Sequence, residues 1–196
     1  MQRVSFVSCE TLTQAEFSDW LETLPASDIH RYELLEGRIV MEPPASWPHG
    51  EIEARIVHAL VAFVRTRAQG RVFGSSQGFE LPSGDTVEPD ATFVSTGRWE
   101  AQGVPRQGFP GIVPDLVVEI LSPSTKGRDR GQKKRIYERA GVREYWLVDP
   151  ESRSVTRLVA TQGRFGEGRV LAQDDRLESV TLDGFEVPVS ELFPAP

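Results

Sequence analysis

Glu119 stands in the middle of an apolar run, Leu116 to Leu121, that is hydrophobic at both alternating positions. That is the pattern of a central strand covered on both faces. A carboxylate in such a place is costly unless a cation or a hydrogen-bond network receives it. Asp90 is a second acid, in a stretch from Val87 to Val94 that reads as the preceding strand, with Glu88, Asp90 and Thr92 on one face and Val87, Ala91 and Phe93 on the other. If the two strands pair, Asp90 and Glu119 could share one hard divalent cation. Mg²⁺ suits a few carboxylates, several waters and substrate phosphate oxygens, and Mn²⁺ could replace it. Lys133 is the natural third member. The spacing of Asp129, Lys133, Ile136, Tyr137 and Ala140 puts them on one helix face, and the apolar residues among them turn that face inward. Lys134, Arg135, Glu138 and Arg139 then look outward, and Lys134 is spaced to pair with Glu138. An inward lysine beside two acids can hold a phosphate, or orient and help deprotonate an attacking water that a metal has acidified. The competing reading is a buried structural ion pair between Lys133 and Glu119 or Asp115. The residues alone leave both open.

The elements that must position these groups are legible as patterns. Val113 to Pro150 reads as strand, loop, helix (about 129–140) and strand (144–149). Pro123 ends the first strand, Gly141 stops the helix and Pro150 ends the second strand. Upstream, Thr13 and Glu16 fit a capping box for a short helix carrying Phe17, Trp20, Leu21 and Leu24. Tyr32–Met41 reads as a hairpin turning at Glu36-Gly37. Pro43, Pro44 and Pro48 mark a loop. A helix over about 51–68 comes next, with Ile52, Ile56, Ala59, Leu60 and Phe63 as its stripe and Gly70 as its stop. His49 stands at its entrance, as a cap, a phosphate ligand or an idle residue. Residues 71–81 read as a strand kinked at Gly78, and 96–112 as a loop. Strands are expected at 154–159, 169–172 and 180–187, with a turn at 189–193.

Length and composition set bounds. A chain of 196 residues is expected to be one domain. One cysteine, Cys9, allows no intrachain disulfide, which favours a reducing compartment. No secretory signal or membrane-length apolar run is visible, so the expectation is a cytoplasmic protein without a membrane partner. The net charge of −7 argues against non-specific coating of nucleic acid. Yet the three lysines all fall between Lys126 and Lys134. From Lys126 to Arg139 seven basic and two acidic residues give a local +5, leaving −12 for the rest. Lys126, Arg128 and Arg130 are therefore the expected meeting point for a nucleic-acid backbone. A solvated helix face balancing nearby carboxylates is the alternative.

Pro89-Asp90, followed by a strand carrying Glu119, resembles the PD-(D/E)XK nuclease superfamily. More closely, YELLEGRIV, VEPD, PDLVVEILSPST, the Asp129–Lys133–Tyr137 spacing and GVREYWLVDP resemble the Uma-two-type endonuclease family. The resemblance implies a restriction-endonuclease-like α/β (α+β) core at about 49–150, a mixed sheet flanked by helices, with an N-terminal helix and hairpin and C-terminal strands added. It implies Asp90 and Glu119 as metal ligands. It also implies Lys133 as the catalytic lysine moved onto the helix, because Leu121 occupies the position two residues after the second acid. Glu33 and Asp115 are second-rank ligands, with His49 behind them. The implied activity is Mg²⁺-dependent hydrolysis of DNA, with a homodimer as the expected assembly for a fold of this type. The alternative is a non-catalytic module that binds nucleic acid or a protein partner.

Overall fold

Pro89 divides the stretch read as a single strand from Val87 to Val94, and two sheets result. In the computed structural model, which describes residues 6–42, 44–102 and 108–195, the chain runs β1 (Phe6–Val7), α1 (Gln14–Glu22), β2 (Arg31–Leu35), β3 (Arg38–Glu42), α2 (His49–Arg65), β4 (Gly70–Gly74), β5 (Phe79–Glu80), β6 (Thr86–Val87) and β7 (Ala91–Ser95). It continues with α3 (Thr96–Gln102), β8 (Leu116–Ile120), α4 (Lys126–Arg128), a π-helical turn (Asp129–Lys133), α5 (Lys134–Ala140), β9 (Glu144–Asp149), β10 (Ser154–Thr161), β11 (Arg164–Phe165), β12 (Arg169–Leu171), β13 (Arg176–Glu178), β14 (Glu186–Pro188) and a 3-10 turn (Val189–Leu192). None of the described helices is long and apolar enough to cross a membrane.

The larger sheet has the order β11-β10-β9-β8-β7-β4, with β12 also paired to β10. Its β8–β9 pair is parallel and β7–β8 antiparallel. The parallel pair needs a crossover, and the helical segment 126–140 supplies it. Ile52, Ile56, Leu60 and Val64 of α2 pack with Phe93, Leu116, Val118 and Ile120 on one face. Ile136 and Tyr137 of α5 pack with Val94, Val117, Leu121, Tyr145 and Leu147 on the other. So β8 is covered on both sides, as its unbroken apolar run demands, and Glu119 points to the α5 side. This is the expected mixed sheet flanked by helices.

The second sheet has the order β1-β3-β2-β6-β5. Its β2–β3 hairpin turns at Glu36 (φ 52°) and Gly37 (φ 78°), as a two-residue turn with both central residues left-handed requires. Segment 71–81 likewise splits between the sheets, β4 in one and β5 in the other. The Phe109 ring lies against Gly78, where a Cβ would come within 2.7 Å of it, so glycine there makes room for a neighbour. The capping box at Thr13 is present in full. Other boundaries differ from expectation. α2 ends at Arg65, with Ala68 rather than Gly70 taking the left-handed conformation (φ 52°). Residues 96–102 are helical. Residues 103–107 of the expected loop, and Pro43 of the proline-marked one, lie outside the described residues. The expected strand at 180–187 is mainly loop, because Leu182 and Phe185 are used to seal the core beyond β9 rather than to pair.

Candidate active site

The hairpin β2–β3, the start of α2, the ends of β7 and β8 and the 122–129 segment enclose an open pocket of about 1000 Å³. Asp90 and Glu119 both line it, together with Arg31, Glu42, Trp47, His49, Lys126 and Asp129. The register pairs Ala91 with Val118. One step further, Asp90 faces Glu119 across the two strands, and Asp90 Oδ2 accepts the Ile120 N–H at 2.7 Å. The pairing thus sets the two acids opposite each other in register at one pocket.

Each acid is held differently. Asp90 is buried, and Arg31 reaches its Oδ1 at 3.0 Å while His49 Nε2 lies 3.2 Å from its Oδ2. Burial alone would raise its pKa, but the His49 hydrogen bond and charge, Arg31 and the Ile120 N–H together hold it at about 2. Burial opposes the charged form of His49 in turn, and the bond to Asp90 nevertheless raises its pKa. Glu119 Oε1 forms an ion pair with Lys133 Nζ at 2.5 Å and accepts the Tyr137 hydroxyl at 2.6 Å. Burial pushes the Glu119 carboxyl well above the usual carboxylate range, and the Lys133 charge opposes that rise. Lys133 is 2% exposed and also reaches Glu33 Oε1 at 2.9 Å. Burial would strip its proton. The pull of Glu119, then Glu33, Asp129 and Glu42, outweighs that and keeps Lys133 well above the ordinary lysine value.

Lys133 faces inward as its spacing predicts, and Asp129, Ile136 and Tyr137 are buried beside it. The π-helical turn between Asp129 and Lys133 places both of the polar ones on the sheet side; such turns recur at functional sites. Lys133 does not line the pocket. It sits behind Glu119, between that residue and Glu33. The Lys134–Glu138 pair is absent among the described residues, because Glu138 accepts the Phe165 N–H at 2.7 Å. Asp115 does not join the site: it precedes β8 at the opposite end from Glu119 and is held by Arg98 at 3.1 Å and Arg143 at 3.4 Å. Burial also shifts the surrounding acids. Desolvation, with Glu33 adding, pushes Glu88 up to about 7, and desolvation pushes Asp129 up to about 6 against the pull of Lys133.

The expected basic patch is only partly free. Lys126 is at the pocket rim with a long 3.9 Å contact to Glu151. Arg130 pairs with Asp149 at 3.0 Å. Arg128 instead turns inward and pairs with Glu42 at 2.5 Å, so it balances a buried acid and is not offered to solvent.

Sequence reasoning passed over Arg31, Glu42, Glu53 and Trp47 as site residues. Arg31 and Glu42 are directly opposed in the hairpin register, but nothing in sequence says that this hairpin end faces Asp90. Glu53 has a usable signal, its i+4 spacing from His49 at a helix start. His49, Glu53 and Asp90 each bring one ligand atom within 4.8 Å of the others. His49 Nδ1 is buried with no hydrogen-bond partner. Two carboxylates and an imidazole therefore fit a divalent cation, in a group that does not include Glu119, and the imidazole admits Mn²⁺ as well as Mg²⁺.

These shifts make stability depend on pH when the protein is kept in chelator. Glu88, Asp129 and Glu119 have folded pKa values above their unfolded ones, so between those values the folded state binds more protons. His49, also raised, acts in the same direction. Asp90 opposes only well below pH 4. Tm is expected to rise as pH falls from about 7.5 to 5.5, measured by differential scanning calorimetry; a fall across that window would contradict the assignment.

Known proteins share this architecture. The crystal structure of "a putative nuclease belonging to DUF820 from Anabaena variabilis ATCC 29413" superposes with a TM-score of 0.74 at 22% identity, over 93% of this chain and 97% of that one. That likeness shows a shared fold. No curated protein matches the chain. A family profile described as "Putative restriction endonuclease" matches residues 15–190, nearly the whole chain, and the protein belongs to that family, Uma2.

Proposed function

We propose that this protein is a divalent-metal-dependent nuclease that hydrolyses DNA phosphodiesters, with Asp90 and Glu119 as ligands and Mg²⁺ or Mn²⁺ as the ion. The observation that carries the reading is the pair of acids opposed across β7 and β8 at one pocket, one fixed by Arg31 and His49 and the other by Lys133 and Tyr137. When bound, the ion would lower the pKa of a water and neutralise charge on the phosphate.

The chain's own residues do the rest. Asp90 stays ionised at any physiological pH because its neighbours donate to the carboxylate. Glu119 is aimed from a central strand and held by the Lys133 charge and the Tyr137 hydroxyl, so little is left to reorganise when charge develops. Lys133 keeps its proton, which excludes it as the base in the resting state. Its role is to keep Glu119 oriented, to oppose protonation of that carboxyl, and to offer a donor if Glu119 is drawn towards the pocket. Lys126 at the rim meets backbone phosphates.

A non-catalytic module that binds nucleic acid or a protein partner is the second reading, and the engagement of Arg128 and Arg130 by acids of the same chain favours the protein partner. Cleavage of plasmid and single-stranded DNA in Mg²⁺ or Mn²⁺ separates the two. Wild type is expected to cleave, and Glu119→Ala to lose at least ~10²-fold in rate. Binding without cleavage by wild type would favour the module.

A further inference from the structure

Trp47 is 77% exposed, whereas Trp146 is buried and Trp20 and Trp99 are half-buried. It lines the same pocket as Asp90 and Glu119. Its place is fixed by the start of α2. The His49 N–H donates to the Ser46 carbonyl at 2.9 Å, closing a tight turn, and the helix begins at His49, whose ring contacts Asp90. The indole is thus tied through two residues to the candidate metal ligands, and among the described residues it has no ring partner. Lys126 stands on the other lip of the pocket, with the exposed Glu151 beside it.

A large aromatic kept in water beside a phosphate-handling site has one direct use: a nucleobase can stack on it, and every base has a face to offer. Inside a duplex both faces of a base are covered by its neighbours. Stacking on Trp47 therefore requires a nucleotide that is unpaired, in a single strand, at a flap or at a frayed end. We propose that Trp47 is a base-stacking platform and that this protein acts on DNA whose strand is unpaired next to the scissile phosphate. This rests on the nuclease reading above.

The test measures binding without turnover. Fluorescence anisotropy of labelled oligothymidylate, of a flapped duplex and of a blunt duplex is measured in Ca²⁺ for wild type, Trp47→Ala and Trp47→Phe. Oligothymidylate is expected to quench wild-type tryptophan emission, and Trp47→Ala should lose most of that quench. Trp47→Ala should weaken single-strand and flap binding about tenfold, within the range of one base–aromatic stack. Blunt-duplex binding should stay within about twofold, and Trp47→Phe should restore most of the loss. Circular dichroism and Tm establish that the exposed substitution leaves the fold intact. Wild-type affinity of Trp47→Ala for the single strand, or an equal loss on all three substrates, overturns the proposal while leaving the nuclease reading standing. Absence of any DNA binding by wild type overturns both.

Discussion

Replacing Lys133 with methionine is expected to lower DNA cleavage by at least ~10²-fold, the scale of losing one positioned electrostatic group. The same change should also lower Tm in chelator. Lys133 lies between Glu33 and Glu119, all three almost fully buried, and Glu33 Oε2 already lacks a partner. Removing the cation leaves two buried carboxylates without the charge between them, and breaking such a pair typically costs about 3–5 kcal/mol. Because the folded pKa of Lys133 is raised, its contribution is fully present below the unfolded value of 10.5 and is lost only as pH rises through the folded one. The penalty should therefore be seen at every pH near neutrality. Lys133→Arg keeps the charge and should recover part of the stability, though its planar fork fits a site shaped for a point charge poorly. Lys134→Ala, one residue on and half-buried without an ion pair among the described residues, should stay within a few-fold of wild type. Thermal unfolding and single-turnover cleavage of the three variants decide between these outcomes. A Lys133→Met protein with wild-type Tm and wild-type rate would remove Lys133 from the site.

Asp90→Asn is expected to abolish the calorimetric heat of Mn²⁺ binding, a larger effect than the ~10–100-fold that loss of an outer-shell partner costs. The asparagine keeps an oxygen for the Ile120 N–H, so the β7–β8 junction stays supported while the charge is lost. His49→Ala discriminates between donor sets. If the ion sits between Asp90 and Glu119 alone, the variant should bind Mn²⁺ with little change; if His49 and Glu53 contribute, affinity falls and the preference for Mn²⁺ over Mg²⁺ falls with it. Unchanged Mn²⁺ binding by Asp90→Asn would move the ion elsewhere and withdraw the proposed ligand pair.

Local geometry could be read directly from the residues. The apolar run around Glu119 had to be a strand covered on both sides, since no other placement hides both of its faces. The spacing of Lys133, Ile136 and Tyr137 aimed the lysine at the sheet, and the same periodicity made α2 the opposite cover. The pairing that sets Asp90 opposite Glu119 was legible because two adjacent strands joined by one connection usually pair.

What those groups face depends on the folded chain. Period-2 patterning cannot tell which sheet a strand joins, so Val87 and Ala91, two positions on one face of one imagined strand, ended in different sheets on either side of Pro89. Asp115 shares the parity of Glu119 but lies at the far end of β8, and parity carries no information about position along a strand. Arg128 looked free by composition and is engaged by Glu42, a partner 86 residues away. Arg31, Glu33 and Glu42 all reach the site from the β2–β3 hairpin, which lies against the helical segment that carries Arg128 and Lys133. Long-range electrostatic pairing of this kind depends on where chain segments cross in space, and it leaves no trace in the local spacing of residues.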